Sequence, residues 1–348
     1  MVKDSSREPL PMMASTIVSS TVLFALSRGL NANDIQDATG YTLEQIAGFD
    51  QRLPDDTAPK ILNRLSERIP QLAPTIEMAR MTPLTFFGGV GDAAKFAPDF
   101  GSALTLLADS ADIAGDRAAL SFDESEKTAS FNFAHPQDII DNGKLSEVGI
   151  ALLWRLCVYM LDSKARFTSV SFGFAANGPS SEYAAFFRCP VSHNQGAYRG
   201  NVTLEREILR LENPRSNPFL FQLASRHLEE FRSELRRDGY SIDMLRLRSA
   251  TFASIRNGDF APRDVAAEAR LSLRTAQRLA AVQGATLSSL IDEARAEIAK
   301  TLLANDPAFD ASQLAHRLGY TDEQSFRRAF KRWTQLTLSE YRKMLRRR

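Results

Sequence analysis

The sequence predicts an α+β domain over residues 12–215, a linker helix over 216–241 and an all-α domain over 242–348 that carries two helix-turn-helix units. Three observations predict this. The chain has 348 residues, more than one core usually serves, and is 44% hydrophobic and 24% charged, which suits a globular protein of two or three domains. Helical periodicity in the first part gives way to short alternating runs near 118–133 and 167–175, and only helical patterns follow from 217 onward. A short helix, a turn and a second short helix then occur twice near the C-terminus.

Charge is unevenly placed. The net charge is +1, but residues 257–348 hold 16 Lys+Arg against 11 Asp+Glu, a net +5, and the rest holds 27 against 31, a net −4. A basic segment on a mildly acidic body suits a polyanionic partner, and the terminal Arg346-Arg347-Arg348 adds a little to that. Cys157 and Cys189 form no CxxC and the four histidines (His135, His193, His227, His316) are scattered, so neither a disulfide framework nor a metal site is expected. The apolar run 17–26 is interrupted by Ser and Thr and is too short to span a bilayer, and no basic n-region leads to a cleavage site. A cytoplasmic protein with no membrane partner is expected.

In order along the chain, residues 1–11 read as a loose tail. Helices are predicted over 14–28 (ended by Gly29), over 32–38 and 43–47 around Gly40, and over 56–69, where Leu62, Leu65 and Ile69 share a face and Pro70 stops the helix. Further helices are predicted over 73–80 and 100–113. Between them residues 82–91, ending in Gly88-Gly89-Val90-Gly91, read as a flexible stretch that can pass close to a small molecule. The Lys-Ser/Thr of a phosphate loop does not follow. Strands over 118–122 and 128–133 flank a polar turn and make a hairpin. An apolar helix over 145–161, a strand over 167–175, a helix over 181–187 and a strand over 197–204 complete the α+β part. A long helix over 217–237 is broken by Asp238-Gly239, and another over 242–256 leads to Asn257-Gly258.

The first helix-turn-helix unit has helices over 263–269 and 274–283 around Leu271-Ser272. Ala276, Leu279 and Ala280 can face a core, while Arg274, Gln277, Arg278 and Ala281 form an outward stripe. A helix over 286–303 joins it to the second unit, with helices over 312–318 and 323–333 around Gly319-Tyr320. Thr321 or Asp322 can cap the latter helix. Phe326, Ala329, Phe330 and Trp333 lie on one apolar stripe and read as core rather than as wedges between bases. Gln324, Arg327, Arg328 and Lys331 repeat the same spacing on another stripe. Tyr320 either packs at the turn or reaches a phosphate.

Two such units joined by one helix resemble the AraC/XylS family of bacterial transcription regulators. The runs that carry the resemblance are VAAEARLSLRTAQRLAAVQGATLSSLIDEARAEIAKTLL (265–303) and LAHRLGYTDEQSFRRAFKRW (314–333) with Tyr341-Arg342. It covers residues 242–348. More loosely, residues 30–53, 183–191 and 207–214 are similar to the effector-binding or dimerisation domain of a subgroup that includes ornithine-utilisation and virulence regulators. Two places depart from the pattern. The family's Gly-x-Ser-Pro before the closing Tyr-Arg is Gln335-Leu336-Thr337-Leu338 here, and an aromatic that the subgroup tends to carry two residues after Pro-Val is His193.

The resemblance implies a sequence-specific DNA-binding regulator, expected to activate transcription. Its partners would be double-stranded operator DNA and RNA polymerase, with a small-molecule effector or a second copy of the chain (a homodimer) at the N-terminal domain. No cofactor and no catalysis are implied. Arg and Gln carry the fork geometries that read guanine and adenine. The base-reading face would be Arg274, Gln277 and Arg278 in the first unit and Glu323, Gln324, Arg327 and Arg328 in the second. Lys331, Arg332, Arg342 and Lys343 would hold phosphates or face solvent. Glu323 can accept from a cytosine amino group or pair with Arg327, and the pairing is favoured. The two units would enter successive major-groove turns about 34 Å apart.

Phe86, Phe87, Phe172, Phe174, Tyr183 and Phe187 are candidate linings of an effector pocket, with core packing as the alternative for each. Arg166 and Arg188 can meet an anion or lie in solvent. The competing function is a DNA-binding module fused to an enzymatic N-terminal domain, as in DNA-alkylation repair. That chemistry needs a reactive cysteine in a Pro-Cys-His-Arg setting, whereas Cys189 stands in Arg188-Cys189-Pro190-Val191.

Overall fold

The structure, a computed structural model, describes residues 11–47, 52–69, 73–84, 89–194, 199–237, 261–282, 285–305 and 307–345, with isolated positions between 244 and 255. It shows an α+β region followed by an all-helical region, as expected from the sequence. The predicted tail, Phe86 and Phe87, and Arg346–Arg348 lie outside the described residues.

The chain opens on β1 (Met12–Ala14), which runs directly into α1 (Ser15–Ser27). Gly29, at φ +96°, turns the chain after α1. Both α2 (Ala32–Thr39) and α3 (Leu43–Ile46) start on capping boxes, Asn31 with Asp34 and Thr42 with Gln45. Next comes β2 (Arg52–Pro54), antiparallel to β1 with Met13 opposite Leu53. Strands of three residues carry too little alternation to be read from sequence, and this ribbon was not predicted. The following helices are α4 (Thr57–Arg68), α5 (Pro74–Met81), α6 (Gly89–Lys95), α7 (Phe100–Asp109) and α8 (Ala111–Ala114). Two expectations are corrected here. The helix predicted over 100–113 divides at Ser110, and the glycine-rich stretch over 82–91 ends inside α6 rather than in a loop.

The sheet follows: β3 (Ala119–Glu124) and β4 (Thr128–Ala134) form the predicted hairpin. Then come α9 (Asp138–Asp141), α10 (Lys144–Leu161), β5 (Ser169–Phe172), α11 (Ser180–Phe187), β6 (Val191–Ser192) and β7 (Gly200–Glu205). The strand order is β3-β4-β7-β5-β6, antiparallel except for β5 with β6. The predicted strand over 167–175 is shorter than expected. Nearly all of α10 is buried, and it lies close on the sheet. Two glycines permit the approach: a Cβ on Gly149 would sit 2.7 Å from the Phe133 ring, and one on Gly200 would sit 2.6 Å from Ile150. Finally α12 (Pro218–Arg237) packs on α6, where a Cβ on Gly89 would be 3.3 Å from Leu228. The small residues of α6 thus admit a neighbouring helix.

The C-terminal region consists of α13 (Pro262–Glu268), α14 (Leu273–Val282), α15 (Leu287–Asn305), α16 (Ala311–Arg317), α17 (Glu323–Thr334) and α18 (Leu338–Leu345). Of the helix predicted over 242–256, the described positions Met244, Leu247, Ala250, Thr251, Ser254 and Ile255 are helical and buried. One hydrophobic core spans Met13 to Leu228 and a second spans Met244 to Leu338, so the two regions are packed separately. Among the described residues no helix is long and apolar enough to cross a membrane.

Candidate functional site

The second helix of each helix-turn-helix unit is fixed by its cap and its apolar face. In the first unit Arg270, at φ +56°, makes the turn, and Ser272 caps α14 by accepting from the Thr275 N–H at 3.1 Å. Ala276 and Ala280 are buried, which leaves Arg274, Gln277 and Arg278 exposed on the opposite face. In the second unit Gly319 turns the chain at φ +75°, and of the two candidate caps it is Asp322 that accepts from Ser325 N–H, at 2.7 Å. That hydrogen bond holds the Asp322 carboxyl below the usual range. Phe326, Ala329 and Phe330 are buried, and Gln324, Arg327, Arg328 and Lys331 are exposed. Glu323 bonds Arg327 Nε at 2.6 Å, so the pairing alternative is realised. The Arg328 guanidinium reaches Ser325 Oγ at 3.1 Å.

The two units are tied through α15. Asp292 accepts from Arg332 at 2.7 Å, and Arg295 donates to the Leu318 carbonyl at 3.0 Å while lying 5.0 Å from the Tyr320 ring. Tyr320 therefore packs at the turn, 5.9 Å from Phe326 and 6.1 Å from Trp333. Arg342, read from the sequence as a phosphate or solvent contact, donates to the Phe309 carbonyl. Asp292 and Arg295 escaped the sequence reading because their partners are 40 and 23 positions away.

In the N-terminal region the structure brings four of the candidate pocket residues together and buries them. Phe172, Phe174, Tyr183 and Phe187 are buried, with Phe172 central: its ring lies 5.3 Å from Phe174 and 6.2 Å from both Tyr183 and Phe187. His193 stacks on Phe172 at 5.3 Å, taking the place of the aromatic that the subgroup carries there. Beneath Tyr183 lies the buried Glu147, bonded by Thr75 and by Asn177 at 2.9 Å; burial pushes its carboxyl up to about 7. Arg166 pairs with Glu205 on the surface, and Arg188 is exposed. Burial also raises the Cys189 thiol to about 11 and the Cys157 thiol to about 12, so neither is an activated nucleophile.

A groove of about 860 Å³ opens elsewhere, along α1. Its walls include Val22, Leu23, Leu26, Leu43, Ile46 and Met81, with Ser15, Thr16, Ser19 and Ser20 along the helix and Asp92 at α6. Thr16, Ser19 and Ser20 are only partly buried, in a helix whose other face, with Ile17, Val18, Phe24 and Ala25, is core. Among the described residues no group of His, Cys, Asp and Glu could hold a metal.

Comparison with known proteins agrees with this architecture. Residues 265–344 match a helix-turn-helix domain model. The chain is 41% identical over 78 residues to an uncharacterised HTH-type transcriptional regulator of Mycobacterium bovis and 38% identical over 73 residues to the HTH-type regulator VqsM of Pseudomonas aeruginosa, each match covering 22% of the relative. It is 26% identical over 196 residues to the ornithine utilization regulator of P. aeruginosa, over 56% of this chain and 55% of that protein. The chain thus spans about a fifth to a half of the length of these curated relatives. The crystal structure of the transcriptional regulator CdpR from P. aeruginosa aligns over 81% of this chain and 91% of its own at 21% identity, with a TM-score of 0.38. Residues 29–212, more than half of the chain, match the arabinose-binding domain of AraC transcription regulators, so the chain belongs to the AraC family of transcription regulators.

Proposed function

We propose that this regulator reads double-stranded DNA through α14 and α17 at successive major-groove turns. One observation carries the reading: each unit leaves an exposed Arg/Gln stripe on its second helix, and one helix, α15, joins the two units. Arg274, Gln277, Arg278, Gln324, Arg327 and Arg328 supply base-edge donors, Glu323 orients Arg327, and Lys331 holds phosphate. The test is DNA retardation of Arg278→Ala and Arg328→Ala. Loss of a bidentate contact costs about 1–3 kcal/mol, roughly a 5- to 150-fold weakening. Unchanged binding in both variants would refute the assignment.

The N-terminal domain is the sensor in this reading, with the α1 groove, rather than the Phe172 cluster, as the effector site. Support comes from volume: the groove accommodates a drug-sized molecule, whereas Phe172, Phe174, Tyr183 and Phe187 are buried against one another. The protein would act in the cytoplasm as an activator that contacts RNA polymerase, as a homodimer. It would not act as an enzyme, a reading supported by the two protonated thiols.

A further inference from the structure

Four carboxylates of the N-terminal body line the junction with the helical region. Asp112 receives Arg232 of α12 in two bonds, at 3.1 and 3.2 Å. Asp116 pairs with Arg52 at 2.7 Å and accepts the Met12 N–H at 2.9 Å. Asp55 holds Arg117 in a fork, Nε at 2.6 Å and Nη2 at 2.7 Å. From this row two ion pairs cross to the helical region. The remaining nitrogen of Arg117 bonds Glu297 on α15, and Asp109 at the end of α7 bonds Arg270 in the turn between α13 and α14. A narrow cleft between them is lined by Asp112, Ala118, Ala250, Glu268 and Ala269.

We propose that these two ion pairs form an interdomain latch that restrains the first helix-turn-helix unit, and that DNA phosphate competes with Asp109 for Arg270. The proposal rests on the DNA-binding reading given above. Arg270 stands two residues before Ser272, the cap of α14, and so lies at the leading end of that helix. That end carries free backbone N–H groups and the positive end of the helix dipole. In a helix-turn-helix unit it is also the end that approaches DNA, where phosphates are held. A carboxylate placed there occupies the guanidinium that a phosphate would use, and its charge opposes the approach of the backbone. Arg274 and Arg278 stay exposed, so the latch weakens binding without abolishing it.

The two ends of the latch differ in strength. Arg270 and Asp109 are each about half exposed, at 52% and 48%, and such a pair yields to a competing polyanion. Arg117 is buried and stays anchored on Asp55 whether or not Glu297 is engaged, so release happens at the half-exposed Glu297. The anchor is also placed to feel the sensor. Asp55 directly follows β2, β2 pairs with β1, and β1 continues into α1, the wall of the groove.

The test uses the full chain and a duplex recovered by the wild-type protein from a randomised pool. Asp109→Asn with Glu297→Gln should tighten the dissociation constant about three- to tenfold, as expected for freeing surface ion pairs. Asp123→Asn, which removes an exposed charge from the body elsewhere, should leave it unchanged. In an Arg270→Ala background the gain from Asp109→Asn should vanish. Equal or weaker binding by the double variant overturns the latch, and so does an undiminished gain without Arg270. Because both replaced carboxylates are half-exposed, the fold survives their replacement. A wild-type protein that recovers no duplex refutes the DNA-binding reading itself, an outcome distinct from a wild type that binds and variants that fail to tighten.

Discussion

Gln335 ends α17 at φ +59°, in the left-handed region that disfavours any residue with a Cβ. The AraC family has Gly at this place, a residue that takes such a conformation without a Cβ penalty, whereas here Gln335 takes it. Thr337, two residues on, accepts the Glu340 N–H at 3.3 Å while the Glu340 carboxylate takes the Thr337 N–H at 2.7 Å, so α18 starts on a capping box where the family has Ser-Pro. The turn is therefore made with one strained residue. Gln335→Gly should stabilise the helical region by about 0.5–1 kcal/mol, the αL penalty less the entropy that glycine adds to the unfolded chain. Chemical denaturation followed at Trp333 would show it, and a destabilised variant would mean that the bond from Gln335 Nε2 to the Arg332 carbonyl, 2.9 Å, outweighs the backbone strain.

At the scale of elements, the helices with a cap and a period were legible. The spacing of Phe326, Ala329 and Phe330 and the cap at Asp322 located α17, because burial and capping are local signals. What stayed hidden depends on distant partners. The β1–β2 ribbon joins segments 40 residues apart through strands of three residues. The helix α6 is glycine-rich and exists against α12, a pairing invisible in its own composition. Phe172, Phe174, Tyr183 and Phe187 could not be sorted into core or pocket, because both require apolar side chains. Arg295 and Asp292 belong to the same class. They fix the turn of the second unit to α15, and so set where α17 lies relative to α14. Asp292→Asn should weaken DNA binding severalfold without touching DNA, the order of one partly exposed ion pair at about 1 kcal/mol. Footprinting should show protection lost over the half-site of the second unit and kept over the first; uniform loss across both would contradict the positioning role.

For the whole molecule, the buried carboxylates set how stability responds to pH. Burial raises Glu147 to about 7, and burial together with the neighbouring Asp138 charge raises Asp141 to about 8. Both are acids whose folded value lies above the unfolded one, so the native state holds more protons between about pH 4.5 and 8. Stability is then full below the unfolded values and falls as pH rises through the folded ones. Asp55 works in the opposite sense. Burial opposes its ionisation, but the hydrogen bond and charge of His135 and then the charge of Arg117 overcome this and bring it to about 2, so its contribution is present above pH 4 and is lost only toward pH 2. Between pH 5 and 8 the raised carboxyls therefore decide the slope. Glu147 alone accounts for roughly 3 kcal/mol, from about 2.5 pKa units at 1.36 kcal/mol each. Glu147→Gln keeps an acceptor for Thr75 and Asn177 but has no proton to lose. Its urea midpoint should vary less between pH 5 and 8 and should exceed that of the wild type at pH 8. The core residue Trp154, 4.9 Å from Phe167, reports this transition once Trp333 is replaced by Phe. A variant with the same slope as the wild type would show that Glu147 titrates near its ordinary value, and that the pocket beneath Tyr183 is open to water in solution.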